Sequence, residues 1–204
     1  MTQSNRRQFV QRTMIGTLAF QVAGATSWLT PRQAHAKEVS LNFFDEAQRK
    51  LLSSFCEHLL PGATEAGVAE FIDQQLGESP HECMLMCKYF PGINAPYDSF
   101  YHGGLKALEI LADAKFKLSF AKLTAPQKNE IVALLWEGKA DPWAGPPPPL
   151  FYMMLRSDAV DVVFGTEQGF QDLGVPYMAH IRPPHDWAPP TSTDDLIDDE
   201  SQHG

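Results

Sequence analysis

Residues 42–62 read NFFDEAQRKLLSSFCEHLLPG, and this stretch carries the pattern that predicts the fold. Its apolar residues recur three or four positions apart, as on one face of an α-helix, at Phe44, Ala47, Leu51, Phe55 and Leu59. Asn42 is placed to cap this helix, and Pro61-Gly62 is placed to end it. The same spacing recurs along the rest of the chain, whereas strict alternation over a useful length does not. We therefore expect an all-α protein.

Later segments repeat helix signals separated by breakers. They predict a short helix over about 65–76, followed by a helix that is opened by the capping box of Ser79 and Glu82 and runs to about Tyr89. A longer helix is predicted through Phe100 and Phe116. Two more helices follow, one opened by a second capping box at Thr124 and Gln127 and one over about 150–163. Residues 138–149 are a loop ending in the four prolines Pro146–Pro149, which favour an extended polyproline II strip that serves as a spacer or a docking strip. The prediction is a single compact domain of about five to six helices, with an irregular Pro-rich loop and a C-terminal extension.

Length and charge restrict the function classes. The chain has 204 residues, with 16 Lys and Arg against 25 Asp and Glu and a formal net charge of −9. This length suits one globular domain, and the acidic balance argues against a broad surface for nucleic acid. Residues 1–36 differ from the rest, since they contain four arginines and no acidic residue.

The basic head has the order of an export signal. Arg6 and Arg7 precede Phe9, a mildly apolar run covers residues 14–24, and small residues at Ala34 and Ala36 suit a signal peptidase. This pattern resembles a twin-arginine (Tat) signal, whose machinery moves folded proteins. We expect residues 1–36 to be a signal cleaved after Ala36, residues 37–188 to be the helical domain, and residues 189–204 to be a disordered acidic tail. The alternative is a retained basic amphipathic anchor, although the apolar run is shorter than the ~20 residues of a transmembrane helix.

The three cysteines, Cys56, Cys83 and Cys87, leave several readings open. An odd number in an oxidising compartment predicts a disulfide from Cys56 to Cys83 or Cys87, with the third thiol buried or paired with another chain. The alternatives are three buried thiols or a metal site that adds His58 and His81, for which the spacing is poor. The chain has no Cys-x-x-Cys-His segment for haem, too few cysteines for an iron–sulfur cluster, no nucleotide-binding glycine motif and no nucleophile elbow. We assign no catalytic, cofactor-binding or metal-binding residue.

Several segments, in their order, resemble one family. They are the twin-arginine head, residues 59–63 (LLPGA), residues 67–73 (GVAEFID), the turn from Phe120 to Gln127, residues 152–166 (YMMLRSDAVDVVFGT) and residues 174–187 (GVPYMAHIRPPHDW). Together they are similar to the gluconate 2-dehydrogenase subunit 3 family over nearly the whole chain.

The resemblance implies a non-catalytic accessory subunit of a periplasmic, membrane-associated sugar or sugar-acid dehydrogenase. In such a complex, the large subunit holds FAD, a multihaem cytochrome c subunit takes the electrons, and the small subunit supplies the signal read by the Tat translocase. We expect partner contacts from the Pro146–Pro149 strip and from Trp143, Tyr177, His180 and Trp187. The competing hypothesis is a stand-alone periplasmic metal or redox protein that uses Cys56, Cys83 and Cys87.

Overall fold

The computed structural model describes residues 17–22 and 24–175, and this part of the chain is mostly helical. The all-α prediction is therefore confirmed. The elements, in chain order, are β1 (Leu18–Val22), β2 (Ala25–Leu29), α1 (Pro31–Ala36), α2 (Glu46–Leu59), α3 (Ala63–Ala66), α4 (Val68–Leu76), a 3-10 helix (Met86–Tyr89), α5 (Asp98–Phe116), a second 3-10 helix (Phe120–Lys122), α6 (Ala125–Trp136), α7 (Pro148–Phe164) and α8 (Glu167–Asp172). The short α1, α3 and α8 bring the α-helices of the described part to eight, above the five or six predicted.

The small sheet was not predicted. β1 and β2 pair antiparallel, with Leu18 opposite Leu29 and Val22 opposite Ala25. The hairpin lies in and just after the apolar run of the predicted export signal. It is the only sheet within the described residues.

Helix α2 starts later than predicted. Its N-cap is Asp45, whose carboxylate accepts the backbone N–H of Gln48 at 2.8 Å, while the Gln48 side chain accepts the N–H of Asp45 at 3.2 Å. Asn42 does not cap this helix, because the helix begins only at Glu46; the N–H of Asn42 donates to the carboxylate of Asp73, at 2.8 Å. A reciprocal capping box satisfies two helix-end groups at once, so it displaces the single cap predicted at Asn42.

The helix predicted over 65–76 is two helices, α3 and α4, that meet at Gly67. Gly67 has a φ of +83°, in the left-handed region that favours glycine. The first turn of α1 lies directly against this glycine, and a Cβ there would stand 2.2 Å from the carbonyl oxygen of Pro31. The break therefore accommodates α1.

The segment from Ser79 to Tyr89 is not the predicted α-helix. It forms one turn, with the N–H of Cys83 bonded to the carbonyl of Ser79, and ends in the 3-10 helix. After this turn, the buried side chain of Gln75 accepts the backbone N–H of Met84 at 2.7 Å, and that of Asp158 accepts the N–H of Met86 at 3.1 Å. Since these donors are taken by side chains of α4 and α7, the helix cannot continue.

The main core lies where α2, α5 and α7 meet. Phe55 of α2 packs edge-on against Phe120, with ring centroids 5.4 Å apart, and stacks on Phe151 of α7 at 5.8 Å. Helix α7 starts at Pro148, so it takes two of the four prolines that were predicted as an extended strip. Proline suits the first turn of a helix, because its missing N–H would have no partner there. Within residues 17–22 and 24–175, no helix is long and apolar enough to cross a bilayer.

Candidate partner-binding surface

A groove of about 600 Å³ opens where the Pro-rich loop faces the start of α5. None of its lining residues carries a formal charge, although the whole chain has a net charge of −9. Depletion of charge is typical of the core of a protein–protein interface. The lining consists of Pro91–Asn94, Ser99, Phe100, Gly103, Ala144–Pro147 and Leu150.

Trp143 supports one wall of this groove from behind. Its indole Nε1 donates to the carbonyl oxygen of Pro146 at 2.6 Å, and its half-buried ring lies 5.9 Å from Phe151. The loop then approaches α5 so closely that a Cβ on Gly145 would stand 2.9 Å from the carbonyl oxygen of Gly103. Trp143 thus positions the wall, and its direct contact with a partner stays a prediction.

The floor of the groove depends on close helix packing. Phe151 of α7 lies on Gly104 of α5, where a Cβ would come within 2.1 Å of the ring. The adjacent Gly103 lines the groove instead, and a Cβ at this position would have Pro146 as its nearest neighbour, at 3.6 Å. This glycine pair therefore serves helix packing and the groove.

Trp136 adds an exposed aromatic side chain at the same end of α7. It is 62% exposed, in the last turn of α6, and its ring lies edge-on to Tyr152 at 5.7 Å. Tyr152 lies two positions after the groove residue Leu150, so this aromatic pair belongs to a different face of α7 from the groove. Sequence reasoning missed Trp136, although a tryptophan one residue after the buried Leu135 was a usable signal.

A buried polar cluster lies inside the core. The carboxylate of Asp158 is 1% exposed and accepts bonds from the Tyr101 hydroxyl, at 2.7 Å, and the Met86 N–H. Burial raises the pKa of Asp158 to about 7, against the opposing effect of these hydrogen bonds. The Tyr101 oxygen also lies 3.7 Å from Sγ of Cys87. Sequence reasoning did not single out Asp158, which sits within the apolar pattern of α7.

The three cysteines are free, buried thiols, so the predicted disulfide from Cys56 to Cys83 or Cys87 is not formed. Burial raises the pKa of Cys56 far above its ordinary range, that of Cys87 to about 12 and that of Cys83 as well. Thiolate, the form that binds metals and attacks disulfides, is therefore disfavoured at all three. His58 bonds instead to Asn129, at 2.9 Å. In the described part of the chain, no group of three or more His, Cys, Asp or Glu is arranged to hold a metal ion.

The other predicted site residues fall into two groups. Ala34 and Ala36 lie in α1, which packs against α3 and α4. Outside the described residues lie Arg6, Arg7, Phe9, Tyr177, His180 and Trp187, together with the predicted tail 189–204.

Comparison with known proteins gives one match, in which the family model for gluconate 2-dehydrogenase subunit 3 covers residues 46–180. The chain belongs to this family. The expected resemblance is confirmed, and the matched region of this subunit 3 chain contains the groove, the buried cluster and all three cysteines. It begins at Glu46 and so leaves out the hairpin and α1. No curated protein and no solved structure matches.

Proposed function

We propose that this chain is the accessory small subunit of a periplasmic FAD-dependent dehydrogenase complex of the gluconate 2-dehydrogenase type. It binds the flavoprotein large subunit and supplies the Tat signal that exports the pair. The oxidation takes place at FAD in the large subunit, and a multihaem cytochrome c subunit carries the electrons away. The complex associates with the membrane.

Family membership is the observation that carries this proposal. The match spans residues 46–180, from the first residue of α2 past the last described helix. A subunit of a dehydrogenase complex needs a surface for its partner, and the groove beside the Pro-rich loop suits that role. Its lining is uncharged, as is typical of the core of a protein–protein interface.

The thiols favour the accessory role over the stand-alone redox protein. Cys56, Cys83 and Cys87 are buried, and their raised pKa values keep them protonated. A redox or metal-binding thiol needs the opposite environment, with partial exposure and a lowered pKa.

The export step is tested by changing Arg6 and Arg7 together to Lys. In our proposal, the flavoprotein crosses the membrane only when it is bound to this chain. Both proteins should therefore accumulate in the cytoplasm. The measurement is cell fractionation, followed by immunoblotting for this chain and flavin assay for its partner. Arg12→Lys, the same change outside the pair, is the matched control and should leave export intact. A flavoprotein that still reaches the periplasm in the double variant would contradict the escort role.

A further inference from the structure

The end of the predicted signal is built into the fold. Strand β2 leads into α1, and the side chains of Phe20, Leu29, Ala34 and Val39 form a hydrophobic cluster of their own. Ala34, one of the two small residues expected to be read by a signal peptidase, is 0% exposed. One residue of the cleavage motif is thus packed in a core, while Ala36 and Lys37, on either side of the bond, are exposed.

The body of the protein holds this segment at a site formed around Gly67 and Glu70, the leader seat. Gly67 holds a left-handed conformation that places its backbone directly under the carbonyl of Pro31, closer than any Cβ would allow. The seat lies between α3 and α4, both of which pack against α1.

Hydrogen bonds and an ion pair hold the segment in place. Nδ1 of His35 lies 3.0 Å from Oε1 of the buried Glu70, and the same oxygen accepts from Nη2 of Arg49 at 2.5 Å. Since a carboxylate only accepts hydrogen bonds, Nδ1 of His35 is the donor. Arg32 pairs with Glu65 of α3. His35 is the central residue of the Ala34-His35-Ala36 motif, so the motif itself makes the contact.

The bond predicted to be cut lies at the end of a capped helix. Thr30 and Gln33 form a capping box at the start of α1. At its end, the N–H of Lys37 bonds to the carbonyl of Gln33 at 3.1 Å, and the N–H of Val39 bonds to that of Ala34 at 3.1 Å. A protease acts on such a site only through a locally opened state, because it binds its substrate as an extended chain.

We propose that the folded chain withholds the Ala36–Lys37 bond from signal peptidase, so that the exported subunit keeps its leader. The partner of the seat at Gly67 and Glu70 is the chain's own segment 30–36. This inference rests on the proposed export function, since only a leader would be offered to a peptidase. It stands against the expectation of a mature chain that starts at Lys37, which stays a prediction.

The test compares purified full chain, in detergent micelles with signal peptidase, with a synthetic peptide of residues 14–45. Intact-mass measurement follows cleavage between Ala36 and Lys37. We expect the peptide to be cut and the folded chain to be cut at least about tenfold more slowly, as the open state is a minority. A full chain cut as fast as the peptide, or a peptide that is not cut, would overturn the proposal.

Gly67→Ala forces a Cβ into the Pro31 carbonyl and should bring cleavage of the full chain close to the rate of the peptide. Gly62→Ala is the matched control, because Gly62 also has a positive φ (+92°) but has no atom within 4 Å of its ideal Cβ. His35→Ala, which leaves the body unchanged, covers the case in which Gly67→Ala fails to fold, and it should also increase cleavage. Continued resistance of both variants would contradict the seat. Continued export of the flavoprotein by the chain with Arg6→Lys and Arg7→Lys would contradict the proposed function, while the cleavage rates still decide this inference.

Discussion

Asp158 is a carboxyl group in an environment very different from that of a surface carboxylate. It is enclosed by the core, where it accepts hydrogen bonds from Tyr101 and from the backbone of Met86. Its protonated form is favoured by burial. The carboxyl of Asp158 in α7 thus ties the first residue of the first 3-10 helix to α5.

Asp158→Asn should remove a pH dependence of stability. The pKa of Asp158 in the folded chain, about 7, exceeds its ordinary value of 3.8. Between these two pH values, the folded state holds a proton that the unfolded state releases. The free energy of unfolding contributed by this group therefore falls as pH rises from about 4 to 7, by on the order of 1–4 kcal/mol. Asn stays neutral, so the difference between the two proteins in urea unfolding should follow that slope. A difference that does not change with pH would contradict the assignment.

The three thiols should be inert in the native chain. Burial raises the pKa of each, so at pH 8 a thiol reagent should label none of them within minutes and all three after denaturation. Intact mass after alkylation, without reducing agent, counts the free thiols. Rapid labelling of the native chain, or a covalent bridge from Cys56, would contradict the structure.

At the scale of elements, the contact between α5 and α7 shapes the groove. Gly104 admits the ring of Phe151, and the neighbouring Gly103 lines the groove. Because the two glycines are consecutive on one helix, replacing either by alanine changes helix propensity in the same way. A difference in stability between the two variants therefore reports the packing of the Phe151 ring.

Gly104→Ala should destabilise the fold and Gly103→Ala should not. A Cβ at 104 would overlap the Phe151 ring at 2.1 Å, and overpacking of this kind costs about 1–3 kcal/mol. At 103 the nearest atom is 3.6 Å away, so alanine should stabilise the helix by about 0.4–1 kcal/mol. Thermal or urea unfolding of both variants measures this. Equal loss of stability in the two would contradict the packing described.

Locally encoded elements were the ones that sequence could predict. Helices α2, α6 and α7 carry an apolar face within their own residues, and α6 also has its predicted capping box at Thr124 and Gln127. The segment Ser79–Tyr89 carried equally good local signals, yet its N–H groups are claimed by Gln75 and by Asp158, the latter 72 positions from its donor. The residue pattern of the segment itself does not show that distant side chains take the N–H groups which a helix would need. For the candidate site, the Pro-rich loop and Trp143 were predicted, whereas residues 91–94 join it only through folding.

At the scale of the whole molecule, the basic head and the acidic body are physically joined. The body holds residues 18–22 and 24–36 of the head through the hairpin, α1 and Glu70. The groove lies elsewhere, beside the Pro-rich loop, and its lining residues are distinct from those of the leader seat. One chain can thus present a leader and bind a folded partner at the same time, as an escort requires.

The central claim is that the groove binds the flavoprotein, and affinity capture tests it most directly. Wild-type, Ser99→Arg and Ala114→Arg chains are captured from periplasmic and membrane extracts, and the flavin absorbance and mass spectrum of each eluate are compared. Ser99 lines the groove, while the exposed Ala114 lies on the same helix about 22 Å further along.

We predict that an FAD-containing dehydrogenase co-purifies with the wild-type and Ala114→Arg chains. Its recovery should fall about tenfold or more with Ser99→Arg, since a charge in an interface core costs over 1 kcal/mol. Circular dichroism confirms that both variants are folded. Equal recovery with Ser99→Arg would contradict the groove as the binding surface, and no flavoprotein with the wild-type chain would contradict the accessory role itself.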